Sequence, residues 1–369
     1  MELLLVVHGI GTHTKKSIEE TVNEAGNICL KRYGLKGKNA EYAKYVKVVG
    51  IGYDEVFEEE RKRIKENRDE FFTLLKSAGL QVPGMLKWLK KIDDDNWFTT
   101  HGLDILLYAG LHSELVRYKV ARKITEAVEE AKGEKIHKSG LKGVHIVAHS
   151  MGTAVVHDTL RKMYGSGVSD PEKKGKTYSL DPSKNKLSTL WMFANVTPLF
   201  HFFGELIDGM TSTTDPLKSV VRPAPGKKGC LYRFYDISHE YDYVSRWLRL
   251  IPLQSWMPPP SQMYEFRSIE TEDFYEELDP HSLKEYICNP EVSYLFLSRT
   301  MDSGDFNVSP IAAEKIDEKL DAALKGADEL IDELAEIEKP KDVVEWFKLL
   351  KEYGEYVKDF DQEDPQPKE

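Results

Sequence analysis

Cysteine is scarce in this chain of 369 residues: Cys29, Cys230 and Cys288 are widely spaced, form no metal-type pair, and leave one over under any disulfide pairing. A stabilising disulfide framework is therefore not expected, and a reducing, cytoplasmic setting is. An excess of positive charge is also missing. Lys and Arg number 51 against 62 Asp and Glu, a formal net charge of -11, which argues against a nucleic-acid footprint or a polybasic membrane anchor. No apolar run approaches the roughly twenty residues that cross a bilayer, so any lipid contact is expected to be peripheral. The apolar start from Leu3 to Val7 lacks a basic leader and a cleavage site, and reads as a first strand. Internal repeats are absent. His101, His112, His137 and His201 show no metal-ligand spacing, and neither a metal nor a cofactor is expected.

What is present is a pattern of short apolar runs and helix-period segments. With 41% hydrophobic and 31% charged residues, the chain can bury a large core and carry an appendage. Leu3–Val7 leads into His8-Gly9-Ile10-Gly11-Thr12-His13, and a helical stretch from Ile18 to Tyr33 follows, with Ser17 or Thr14 as its cap. Val46–Ile51 reads as a second strand. A charged insertion over about 54–105 then contains Phe71, Phe72, Met85, Leu86, Trp88 and Leu89 at amphipathic spacing. Leu103–Ala131 reads as one long helix returning to a strand at Val144. After a polar surface loop from about Gly165 to Lys186, strands are expected at Leu187–Ala194, at Leu231–Tyr235 ending at Asp236, and at Tyr264–Ile269. Six strands separated by helices and loops indicate an α/β fold with a mostly parallel, doubly wound sheet. Past Pro310 the composition turns to Ala, Glu, Lys, Asp and Leu at helical spacing, broken near Pro340, with a disordered tail from Asp361. The expected organisation is a catalytic domain over 1–305 and a helical appendage over 306–369.

The chemistry is concentrated at Val144-His145-Ile146-Val147-Ala148-His149-Ser150-Met151-Gly152-Thr153-Ala154. An apolar strand here turns sharply into a helix with Ser150 at the corner, which reads as a nucleophile elbow. Such a corner requires small residues two positions before and after the serine, and Ala148 and Gly152 stand there. The plain alternative is an ordinary strand-to-helix junction with a surface serine. Serine hydrolysis also needs a base, an orienting carboxylate and donors for the oxyanion. In an elbow-bearing sheet the acid and then the histidine follow the serine in chain order. Tyr235–Val244 leaves a strand with three carboxylates, Asp236, Glu240 and Asp242, so several geometries are open. His281, after the last strand and before a helix, is placed to act as base, because a neutral imidazole can take and return the serine proton near neutrality. The backbone N–H of Met151 lies beside the serine, and the loop at Gly9 and Gly11 supplies a second donor, its glycines letting the backbone approach a substrate. His149 flanks the serine and is expected to line the pocket. The same glycine-rich loop lacks the Walker lysine–serine pair and a full dinucleotide fingerprint, so a phosphate cradle is disfavoured.

These residues resemble the α/β-hydrolase superfamily, in particular its lipase-like serine esterases and the catalytic half of the DDHD-type intracellular phospholipases A1. The resemblance spans most of residues 1–300. It rests on Val6-Val7-His8-Gly9-Ile10-Gly11, on Asp104-Ile105-Leu106-Leu107-Tyr108, on the elbow trailed by His157-Asp158-Thr159-Leu160, on Asp242-Tyr243-Val244, and on His281-Ser282 with Tyr286 and Asn289-Pro290-Glu291-Val292. It implies Ser150 as nucleophile, Asp242 as acid, His281 as base, and Ile10 and Met151 as oxyanion donors, with Asp236 the alternative acid and Asp158 a structural helix residue. Ala148 replaces the first elbow glycine, Tyr243 replaces the loop proline, and the second Asp-Asp-His-Asp array of the eukaryotic phospholipases is missing. The implied substrate is an acyl ester, lipid or lipid-like, cleaved through an acyl-enzyme. An amide, a thioester or a protein lipid anchor would suit the same residues. A non-catalytic module whose C-terminal helices bind a partner is the reading from a different class. The amphipathic insertion is a candidate lid, or a stripe buried against the domain.

Overall fold

The computed structural model describes residues 1–9, 14–58, 62, 108, 112–199, 218–246, 250, 256, 258, 261–302, 304–320 and 345. Most of the expected insertion over 54–105, a candidate lid, and the helices expected beyond Leu320 lie outside the described residues.

Strand β1 (Glu2–Val7) is followed by helix α1 (Lys15–Arg32) and strand β2 (Val46–Gly50). Helices α2 (Ser113–Lys132) and α3 (Ile136–Ser139) lead to β3 (Val144–His149) and α4 (Met151–Met163). The expected polar loop contains a minimal antiparallel pair, β4 (Val168–Ser169) and β5 (Thr177–Tyr178). Then come β6 (Leu187–Phe193), β7 (Leu231–His239), β8 (Glu265–Thr271), α5 (Leu283–Cys288), α6 (Pro290–Thr300) and α7 (Pro310–Asp317). Six strands form one sheet in the order β2-β1-β3-β6-β7-β8, and each neighbouring pair is parallel.

The parallel arrangement explains why the strands read as continuous apolar runs, since helices cover both faces. Along β1, Leu3, Leu5 and Val7 enter the core shared with α2 and α4, while Leu4 and Val6 enter the core shared with α1, α5 and α6. Local signals set the helix ends. The Thr14 side chain accepts the Ser17 N–H at 3.1 Å, so Thr14 rather than Ser17 caps α1. In α2 the buried residues Val116, Val120, Ile124 and Val128 recur every fourth position, and the helix stops at Gly133, whose φ of 65° is left-handed. Phe306 and Ala313, beyond the expected domain boundary, are buried in the same core as α1 and α6. Among the described residues no helix is long and apolar enough to cross a membrane.

A buried ion pair ties α2 to α4. The fully buried Arg117 side chain donates to Asp158 at 3.3 Å, to Glu114 at 2.7 Å and to Ser113 at 2.8 Å. Tyr108 donates to the same Asp158 oxygen at 3.0 Å. Asp158 thus has a packing role in the helix that follows Ser150. Removing one member of such a pair strands the other charge in the core, at a typical cost of about 3–5 kcal/mol. Arg117→Leu is expected to lower the urea unfolding free energy by about that amount, and Arg117→Leu with Asp158→Leu by less. A loss in the double variant equal to the sum of the separate Arg117→Leu and Asp158→Leu losses would show that the pairing contributes nothing.

The connection from β1 to β2 moves one way along the sheet, and β3 lies on the other side of β1. The strand order therefore reverses between β1 and β3, and the crevice outside their C-terminal ends is where parallel α/β sheets bind ligands. Val7 and His149 end those two strands.

Candidate active site

Ser150 stands at that crevice in a strained conformation, φ 54° and ψ −131°, as N-cap of α4. Among the described residues the other non-glycine residue with positive φ is Ala194, at 50°. The two corners are joined: Ser150 N–H donates to the Phe193 carbonyl at 3.0 Å, one residue before Ala194. Thr153 Oγ1 donates to the Ser150 carbonyl at 2.6 Å and accepts the Val196 N–H at 3.0 Å. This bracing holds a backbone conformation that typically costs on the order of 1–3 kcal/mol.

The glycines are needed because the end of β1 presses on the elbow. A Cβ on Gly152 would lie 2.4 Å from the Val7 carbonyl oxygen, and a Cβ on Gly9 would lie 2.7 Å from Ser150 Cβ and 3.1 Å from its Oγ. The loop after β1 therefore touches the serine itself. Met151 begins α4, where backbone N–H groups have no intrahelical partner. Ile10 and Gly11, expected to complete the oxyanion site, lie outside the described residues.

His281 and Asp242 are in direct contact. His281 Nδ1 is 3.0 Å and 3.1 Å from the two Asp242 carboxylate oxygens. Asp242 is fully buried and accepts the Val244 N–H at 2.8 Å, the Ser245 hydroxyl at 2.9 Å and the Tyr286 hydroxyl at 2.6 Å. Burial pushes its carboxyl up, but the His281 charge and this set of donors outweigh burial and hold it below the usual carboxylate value. For His281, burial pushes the imidazole down, and the Asp242 carboxylate raises it above its ordinary value of 6.5. Asp236 is placed differently. The strand expected to end there continues to His239, so Asp236 sits inside β7, opposite Met192 and Ser268, and accepts Asn195 Nδ2 at 2.7 Å.

His149 lies between two other imidazoles, with its ring centre 4.7 Å from that of His281 and 4.7 Å from that of His8. Its Nε2 is 2.8 Å from the His281 carbonyl oxygen. Because a carbonyl only accepts, the proton is assigned to Nε2. The residue before the serine thereby holds the backbone of the histidine.

Sequence reasoning passed over two supports. Tyr286 donates to Asp242 and accepts the His239 N–H at 3.1 Å, fastening the acid to the end of β7. Glu285 is buried and accepts the N–H groups of Tyr275, Glu276 and Glu277 at 2.8, 2.7 and 2.8 Å. It fixes the segment that delivers His281. The sequence signal was Ser282-Leu283-Lys284-Glu285, the spacing of a helix capping box. Ser282 Oγ does accept the Glu285 N–H at 3.3 Å, but the glutamate carboxylate turns to the preceding loop.

Among the described residues no group of three or more His, Cys, Asp or Glu is arranged to hold a metal ion. Comparison of the chain with protein-family models, with curated proteins and with solved structures gave no match, so the geometry of the site itself must carry any functional reading.

Proposed function

We propose that this chain is a serine hydrolase of the α/β-hydrolase fold that cleaves carboxylic esters, lipid-like acyl esters foremost, with Ser150, His281 and Asp242 as its triad. The observation that carries the reading is the buried Asp242 carboxylate on His281 Nδ1 at 3.0 Å, at the same sheet edge as the strained Ser150. The order serine, acid, histidine along the chain, with the serine at the C-terminal end of a central parallel strand, supports that fold.

Asp242 holds the His281 proton on Nδ1, which leaves Nε2 as the base. As Ser150 Oγ attacks the ester carbonyl carbon, its proton passes to Nε2, and the carbonyl oxygen becomes an oxyanion facing the backbone N–H of Met151 and, as proposed, that of Ile10. When the carbon–oxygen bond to the alcohol breaks, His281 returns the proton to the leaving alkoxide and an acyl-serine remains. Water then gives a proton to Nε2 and its oxygen attacks the acyl carbon; the carboxylic acid departs and Ser150 recovers its proton. Each oxyanion donor typically contributes about 3 kcal/mol to the transition state.

The direct test is labelling of the full chain with a fluorophosphonate, read by intact mass and peptide mapping. One adduct on Ser150 is the expected result. A folded protein that takes no label, or takes it elsewhere, would overturn the assignment. Esters of graded acyl length, run beside a thioester and an amide, then define the leaving group.

The pH dependence has a definite sign. Catalysis needs neutral His281, and its pKa lies above 6.5, so the acid limb of kcat/KM is expected to have its midpoint above pH 6.5. The same shifts bear on stability in opposite windows. The raised His281 contributes stability that is complete below about pH 6.5 and is lost as pH climbs through its folded value, while the lowered Asp242 contributes stability that is lost as pH falls below about 4. An acid limb centred below pH 6 would contradict the arrangement.

A further inference from the structure

Behind the elbow helix is a small, partly open cavity of about 10 Å³, lined by His157 of α4, by Asn195 and Thr197 just past β6, and by Trp256, with apolar walls that include Met192 and Phe234. His157, Thr197 and Trp256 are 3%, 6% and 2% exposed. Each carries a buried polar atom with no hydrogen-bond partner in the protein: His157 Nε2, Thr197 Oγ1 and Trp256 Nε1. Buried polar groups almost always find partners, so three unsatisfied atoms on residues that line one cavity point to a shared one. The remaining polar residue is already committed. Asn195 donates from Nδ2 to Asp236 at 2.7 Å and accepts the Thr197 N–H at 3.0 Å on Oδ1.

The chemistry of the three atoms selects the ligand. Trp256 Nε1 can only donate, so the ligand must accept. His157 Nε2 donates or accepts according to the ring tautomer, and a ligand that both donates and accepts satisfies either one. The Thr197 hydroxyl serves either way. An ammonium group cannot accept the indole N–H. An anion is repelled by the carboxylates of Asp158, beside His157, and of Asp236, bonded to Asn195. The volume corresponds to a single water-sized oxygen.

We propose that this cavity is a binding site for one hydroxylic oxygen, that of a water molecule or of a short alcohol, which joins α4 to the segments carrying Thr197 and Trp256. The site is independent of the reaction proposed for Ser150. Its mechanical consequence reaches that residue, because His157 lies seven positions along α4 from Ser150, about two turns, and so on the same side of the helix.

The test is NMR on the full chain labelled with 15N-tryptophan, with the Trp256 indole N–H assigned from Trp256→Phe. A long-lived cross-relaxation peak between that N–H and water, unchanged by added methanol or ethanol, is expected if water occupies the site. A saturable shift of the indole resonance on adding either alcohol, with loss of the water peak, identifies the alcohol as the ligand. Thr197→Val replaces the hydroxyl with a methyl of equal size and keeps the fold testable should the indole variant fail. It removes one partner, and is expected to weaken the peak about fivefold. An indole N–H that shows neither long-lived water nor a saturable alcohol response, in a protein whose other tryptophan resonances keep their folded dispersion, overturns the proposal.

Discussion

Ser150→Ala is expected to lower kcat for p-nitrophenyl esters by on the order of a million-fold, the typical loss when a triad nucleophile is removed. The fold should survive it. Alanine and serine share a Cβ, so the φ of 54° at this corner strains both alike, and the braces from Thr153 and to Phe193 use backbone atoms of residue 150. A variant with an unchanged melting temperature and no turnover would isolate the hydroxyl as the missing element. Substantial residual turnover would mean that another group attacks the ester, and would remove Ser150 from the mechanism.

Asp242→Asn should be nearly as severe, with kcat falling on the order of ten-thousand-fold, while Asp236→Asn changes kcat only a few-fold. The difference follows from their partners. The two oxygens of Asp242 together receive His281 Nδ1, the Val244 N–H and the hydroxyls of Ser245 and Tyr286. An amide offers one acceptor oxygen and one NH2 group to the same donors. It also lacks the buried negative charge that, in the proposed mechanism, stabilises the imidazolium formed when His281 takes the serine proton. Asp236 has Asn195 as its hydrogen-bond donor. Steady-state rates and the low-field Nδ1–H resonance of His281, compared across both variants, check this directly. A severe Asp236 variant beside a mild Asp242 one would reassign the acid.

The choice between those carboxylates marks the limit of what could be read without the fold. A charged residue after Leu231–Tyr235 looks like the end of a strand, yet β7 continues to His239 because its pairing with β8 continues to Thr271. That register pairs Asp236 with Ser268, 32 positions away, and no local pattern contains it. Glu285 shows the same limit from another side: its spacing from Ser282 matched a helix cap, but three N–H groups of the loop before His281 bound its carboxylate instead. Arg117, a charged residue of α2, is fully buried because Asp158 stands opposite it on the neighbouring helix.

The sequence by itself determined the parallel α/β character, the elbow and the small residues around it. These follow from burial on both faces of a strand and from the steric demands of a sharp corner, which act on adjacent residues and are written in their order. Tertiary structure decided which carboxylate meets His281, 39 positions away, which loop Glu285 holds, and that His157, Thr197 and Trp256 line one cavity. Those outcomes depend on side chains brought together by strand register and helix packing, and along a strand a shift of one residue would turn every side chain to the opposite face.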